Sequence, residues 1–131
     1  MSHTIRLLLI LAAAVFAVPA LAQTLSPQEV LLAKKWKLAY YEAEGERIEP
    51  TPDQRNDVMD IRKDGTVVSI ESGGTQHGTW TYEDGRKELV VVDSASKDRM
   101  GLRVAALDSA RCTLEFKDPD GVLLRMHMVP F

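Results

Sequence analysis

Hydrophobic and polar residues alternate with a period of two over most of the chain. Trp36, Leu38 and Tyr40 share one parity, with Lys37, Ala39 and Tyr41 on the other. Successive side chains of a strand point to opposite faces, so this parity predicts an inner and an outer side. The same reading turns Met59 and Ile61 inward, then Val68 and Ile70, then Gly78, Trp80 and Tyr82. Leu89 to Val92 is apolar throughout and is expected to be buried on both faces. Leu102, Val104 and Ala106 alternate, followed by Cys112, Leu114 and Phe116. The last run carries Val122, Leu124, Met126 and Met128 inward, with Arg125 and His127 outward.

Turn signals separate these runs: Asp64-Gly65, Gly73-Gly74, Asp84-Gly85, Asp108-Ser109 and Asp118-Pro119-Asp120-Gly121. Glycine takes a positive φ without steric cost, and Asp tolerates it, so such pairs between alternating runs predict hairpins. Glu44 to Asn56 is polar, contains Gly45, Pro50 and Pro52, and is expected as the longest loop. Ahead of the strands, Ser26-Pro27-Gln28-Glu29 has the form of a capping box with proline at the first helical position. Val30 to Ala33 then gives a short helix, too short to stand alone and expected to plug one end of the sheet. The count is roughly eight strands, joined by tight turns with no helix between them. An antiparallel up-and-down barrel fits better than a sandwich, since consecutive hairpins need no long crossover and closure removes exposed edges.

The first residues break the pattern. Arg6, the apolar run Leu7 to Val18 and the small-residue end Pro19-Ala20-Leu21-Ala22 form a secretory signal peptide over 1-22, with cleavage expected before Gln23. The apolar run is shorter than the ~20 residues that span a bilayer, so a membrane anchor is not expected. The residue after Ala22 is Gln23 and not a cysteine, which argues against a lipid anchor. The remaining 23-131 is sized for one domain, with 23-35 as its helical segment and 36 onward as its barrel. A periplasmic or secreted monomer is expected.

The whole chain carries 16 basic and 19 acidic residues, a net charge of −3, and loss of Arg6 makes the mature domain more acidic still. Scattered, mildly acidic charge gives no footprint for nucleic acid or an anionic membrane. Cys112 is the single cysteine, so an intramolecular disulfide cannot form and an apolar core must hold the domain. Alternation with Leu114 and Phe116 makes it a buried, inert thiol.

Candidate chemistry is sparse. Trp36, Tyr40, Trp80, Tyr82 and Met126 are expected inside the barrel, where they either line a small-ligand cavity or fill the interior. Met126-His127-Met128 has copper-type donors, but strand geometry turns the two thioethers and the imidazole to opposite faces. Ser94-Ala95-Ser96-Lys97 matches a penicillin-binding motif without its helix start or companion motifs. Asp118-Pro119-Asp120-Gly121 lacks the further ligands of a calcium loop. No catalytic constellation, metal site or cofactor is expected.

Lys35-Trp36-Lys37-Leu38 after a short helix, Asp64-Gly65-Thr66-Val67, Gly78-Thr79-Trp80-Thr81-Tyr82 and the closing hydrophobic strands together resemble the small bacterial lipocalin-like domains, exported calycin-type barrels. The resemblance covers about residues 32 to 129. Lys34 stands where that family's Gly-x-Trp has its glycine. Its implication is a non-catalytic protein binding a small, partly apolar ligand inside the barrel. A weaker similarity is to exported barrel inhibitors of bacterial metalloproteases, which usually carry a disulfide. That similarity implies a protein-binding module, with contacts from 44–56 or the N-terminal segment.

Overall fold

A computed structural model describes residues 24–71 and 73–131; the expected signal peptide lies outside the described residues. The elements in chain order are α1 (Pro27–Leu32), β1 (Lys35–Ala43), β2 (Glu46–Ile48), a 3-10 turn (Gln54–Asn56), β3 (Val58–Ile61), β4 (Thr66–Glu71) and β5 (Gly74–Glu83). They continue with β6 (Glu88–Asp93), β7 (Arg99–Leu107), β8 (Cys112–Lys117) and β9 (Leu123–Pro130). All pairings are antiparallel; from β3 to β9 they join sequential neighbours, while β1 pairs with β2, with β3 and with β9. The result is a closed eight-strand barrel, β1 and β3 to β9, with β2 as one additional strand.

β2 corrects the expected long loop. Glu44 and Gly45 both have positive φ, 52° and 80°, and Ala43 pairs directly with Glu46. That is a two-residue hairpin of the primed type, whose twist suits the flanking strands. Glu at its first position hid it from the sequence pattern.

α1 is capped as its sequence predicts. The Glu29 amide donates to Ser26 Oγ at 3.3 Å, and the Ser26 amide donates to Glu29 Oε1 at 3.0 Å. Leu32 at its end is fully buried, and Trp36 Nε1 donates to the Leu32 carbonyl at 2.9 Å. Lys34 Nζ ties the segment to the Ser109 carbonyl in the β7–β8 turn. The helix therefore seals one end of the barrel. Behind it, Trp36, Ile61, Val67, Trp80, Leu89, Leu102, Leu114 and Met128 pack as one core. Trp80 Nε1 donates to the Arg62 carbonyl at 2.7 Å, so neither indole leaves a buried donor unmade.

Three strands depart from the expected parity, each for a register reason. In β1 the pairing to β9 shifts between Leu38 and Tyr40: Leu38 lies opposite Met128, but Tyr40 lies opposite His127 and Tyr41 opposite Met126. A bulge at Ala39 puts two successive residues outside and reverses the alternation beyond it. In β7 the same event at Ala105 turns Ala106 outward, opposite Thr113, and Leu107 inward, opposite Cys112. In β4, Val67 pairs with Ile61 and Gly78, and Ser69 with Met59 and Gln76. Val67 and Ser69 therefore face inward, and Val68 and Ile70 outward. A run with apolar residues at both parities takes its faces from the preceding turn.

Candidate functional site

Trp36 is fully buried, Trp80 nearly so, and both belong to the packed, sealed half of the barrel. Tyr82 and Met126 are partly buried against that core. Tyr40 is on the outer face, contrary to its expected inward position. The five aromatic and thioether candidates are thus divided between core, inner gap and outer surface.

One opening of the interior lies at the side of the barrel, between β2 and β4. The lower half of β1 pairs with β3 through Lys35, Trp36 and Lys37, and its upper half with β2 through Tyr41, Glu42 and Ala43. The segment 49–57 bridges the two and is held by the Leu38 amide donating to the Asp57 carbonyl at 3.2 Å. Beneath it is an inner gap of about 40 Å³ walled by Leu38, Tyr41, Met59, Ser69, Met126 and Met128. Outside it is an open cleft of about 560 Å³ along Asp53, Asn56 and Ile70. Asp57 and Glu71 line both spaces and form the threshold between them.

The threshold is electrostatically negative, and Tyr41 reports it. Burial raises the Tyr41 phenol above its ordinary value, and the charges of Asp57 and Glu71 push it further in the same direction. Tyr41 therefore stays a neutral hydroxyl facing two carboxylates. Past them the walls become thioether and aliphatic. An acidic entrance over an apolar, deformable interior suits a ligand with a cationic head and a short apolar tail. Ser69, Tyr41, Asp57 and Glu71 were not singled out by sequence. The bulge at Ala39, the parity of β4 and the Leu38 amide that holds Asp57 bring them together, and none of these carries a composition signal.

A second polar constellation occupies the outer face of β1, β9, β8 and β7. Tyr40 stacks on His127 with ring centroids 4.3 Å apart and planes 16° from parallel, and the Arg47 guanidinium caps Tyr40 at 4.0 Å. His127 Nε2 lies 2.7 Å from Glu42 Oε1, and Nδ1 lies 3.0 Å from Thr113 Oγ1. The imidazole, expected outward, is instead mostly covered, 21% exposed, and held at both nitrogens. Glu115 joins Arg103 and Arg125, and these hydrogen bonds hold its carboxyl below the usual range. Cys112 is fully buried, and desolvation pushes its thiol up to about 12. Among the described residues no group of three or more His, Cys, Asp or Glu is placed to hold a metal ion.

No family model matches the sequence, and no curated protein matches it. Among solved structures, a lipocalin-like protein from Bacteroides uniformis is similar, with a TM-score of 0.60 and 17% identity over 76% of this chain and 98% of that one. A DUF4847 family protein from Bacteroides vulgatus is also similar, with a TM-score of 0.53 and 13% identity over 79% of this chain and 96% of that one. At such identities the likeness concerns architecture alone. The chain has the lipocalin-like fold, an eight-strand antiparallel barrel sealed by a short helix.

Proposed function

We propose that the protein is a non-catalytic binding protein that takes a small, partly apolar organic cation at the side mouth of its barrel. The observation that carries this reading is the shared threshold: Asp57 and Glu71 line both the outer cleft and the inner gap. The ammonium group rests against these carboxylates and the Tyr41 hydroxyl. The tail displaces water from Met59 and Met126, whose unbranched side chains repack to widen the gap. Each apolar Å² so buried contributes about 25 cal/mol before ordering costs. Of the residues expected from sequence, Met126 belongs to this site, and Trp36 and Trp80 supply the rigid base beneath it.

The test is calorimetric titration with hexylammonium and, as charge-reversed control, hexanoate. The reading predicts saturable binding of the amine alone, weakened about tenfold by Glu71→Gln, the loss of one charge-assisted contact. Equal binding of both probes, or an unchanged affinity in Glu71→Gln, sinks it.

A protein-binding role is the second reading, favoured by β2. Its three residues are exposed, including Ile48 at 47%, and it is paired only to β1. Such an edge can accept a partner's extended segment. Loss of a co-purifying partner on changing Arg47 and Arg55 supports it; retention of that partner removes it. Export is part of the same proposal, since a soluble binder would meet its ligand outside the cytoplasm. N-terminal sequencing of protein from the cell envelope should begin at Gln23, and an intact Met1 contradicts export by cleavage.

A further inference from the structure

We propose a second site on the outer face of the barrel, an anion-binding hollow over β7, β8 and β9 that takes the carboxylate or phosphate group of a small molecule. The hollow measures about 590 Å³ and is lined in part by Ala39, Ala105, Ala106 and Thr113. Its shape follows from the two bulges. A regular strand turns every second residue outward, whereas a bulge turns out two in succession. In β7 those two are Ala105 and Ala106, so the wall dips where a barrel exterior would otherwise carry long side chains.

Three arginines, Arg103, Arg111 and Arg125, line this dip against one carboxylate, Glu115, on a chain whose net charge is −3. Glu115 is one of two buried polar residues among those described, 6% exposed. Its two oxygens are divided: Oε1 accepts from Arg103 Nη1 at 2.6 Å and Oε2 from Arg125 Nε at 2.7 Å. Each guanidinium has five N–H donors, and each of these bonds occupies one. The two arginine side chains remain 60% and 47% exposed, held side by side by the carboxylate beneath them.

As a stability device this arrangement has little to recommend it. Ion pairs to half-exposed arginines add little to stability, and sinking their carboxylate below the surface costs desolvation. As a binding device it does what a pair of flexible arginines cannot: it fixes two forked donors in advance, so an incoming anion orders little. Arg111 extends the positive rim, with its Nε 3.4 Å from Asp108 Oδ2. Of the opposing charges nearby, Asp108 pairs with Arg111, while Glu42 holds His127 and also lies across from Arg125, so it competes in part for that guanidinium. Val129, 40% exposed, and the alanines offer an apolar rest for the remainder of the ligand.

Phenyl phosphate and inorganic phosphate are the probes, titrated at low ionic strength with amide NMR as readout. Saturable shifts at Ala105, Ala106 and Thr113 are expected for both, with phenyl phosphate the tighter. Arg125→Gln should weaken phenyl phosphate about tenfold, and Arg125→Lys, which keeps the charge, should still weaken it by losing the fork. Arg62→Gln removes an equally exposed arginine elsewhere and should change nothing. Absence of saturable shifts up to about 10 mM overturns the proposal, since that corresponds to less than ~3 kcal/mol of binding. So does an unchanged affinity in Arg125→Gln, or an equal loss in Arg62→Gln, which would mean diffuse attraction to surface charge.

Discussion

Tyr40 lies flat against His127 on the outside of the barrel, their ring centroids 4.3 Å apart, while its neighbour Tyr41 faces inward opposite Met126. Two adjacent tyrosines therefore serve different surfaces, and the bulge at Ala39 decides which. Tyr40→Ala should cost about 1 kcal/mol, the scale of one aromatic pair, and should shift the His127 ring resonances. It should leave hexylammonium binding intact, whereas Tyr41→Phe should weaken it by removing the inner hydroxyl. Urea unfolding and the amine titration on both variants check this contrast.

Gly78 faces the core, and a Cβ placed there would come within 2.5 Å of the Val92 carbonyl oxygen. That neighbour is backbone and cannot swing aside. Gly78→Ala should destabilise by about 1–3 kcal/mol through strand displacement. A urea midpoint equal to wild type would contradict the packing of β5 against β6.

The low carboxyl of Glu115 makes stability depend on acid. Its folded-state value is depressed, so its contribution is complete above the unfolded value of about 4.3 and is lost as the pH falls through the folded one. Glu115→Gln should lower stability at pH 7 by no more than about 1 kcal/mol, the scale of ion pairs whose arginines stay half exposed. It should also flatten the decline towards pH 3, though Asp64, Asp93 and Asp108, each lowered by hydrogen bonds in its turn, keep part of that decline in both proteins. Urea midpoints from pH 7 to pH 3 measure it.

Cys112 should be chemically silent in the folded protein. Full burial and a thiol pushed up to about 12 deny a reagent both access and thiolate. A coloured disulfide reagent at pH 8 should titrate no thiol natively and one in urea; prompt native labelling would mean the barrel opens at β8.

The sequence made much of this fold readable because its rules are local. Ser26 and Glu29 close the helix start, Asp64-Gly65 and Asp118 to Gly121 turn the chain, and Cys112, Leu114 and Phe116 alternate into one wall. The candidate sites were not readable for the converse reason. Ala39 and Ala105 are ordinary strand residues that become bulges only through pairing with β9 and β8. Val67, Val68 and Ile70 offer apolar side chains at both parities, so only the turn before them selects the inner one. Arg103, Glu115 and Arg125 meet across two consecutive hairpins, and Tyr41, Asp57 and Glu71 across the neighbouring β1, β3 and β4, through pairing registers that no spacing along the chain encodes.

The most direct test of the side-mouth claim reads the methionines. Hexylammonium titrated into protein labelled at the methionine methyls should move Met59 and Met126, which wall the inner gap, in a saturable way. Met100, 53% exposed and paired with Val91 in another part of the barrel, should stay still. Saturation confined to Met59, Met126 and Met128, the three methionines that wall the gap, is the result predicted. Shifts of equal size at Met100, or none at any methionine up to about 10 mM, would contradict a ligand entering between Asp57 and Glu71.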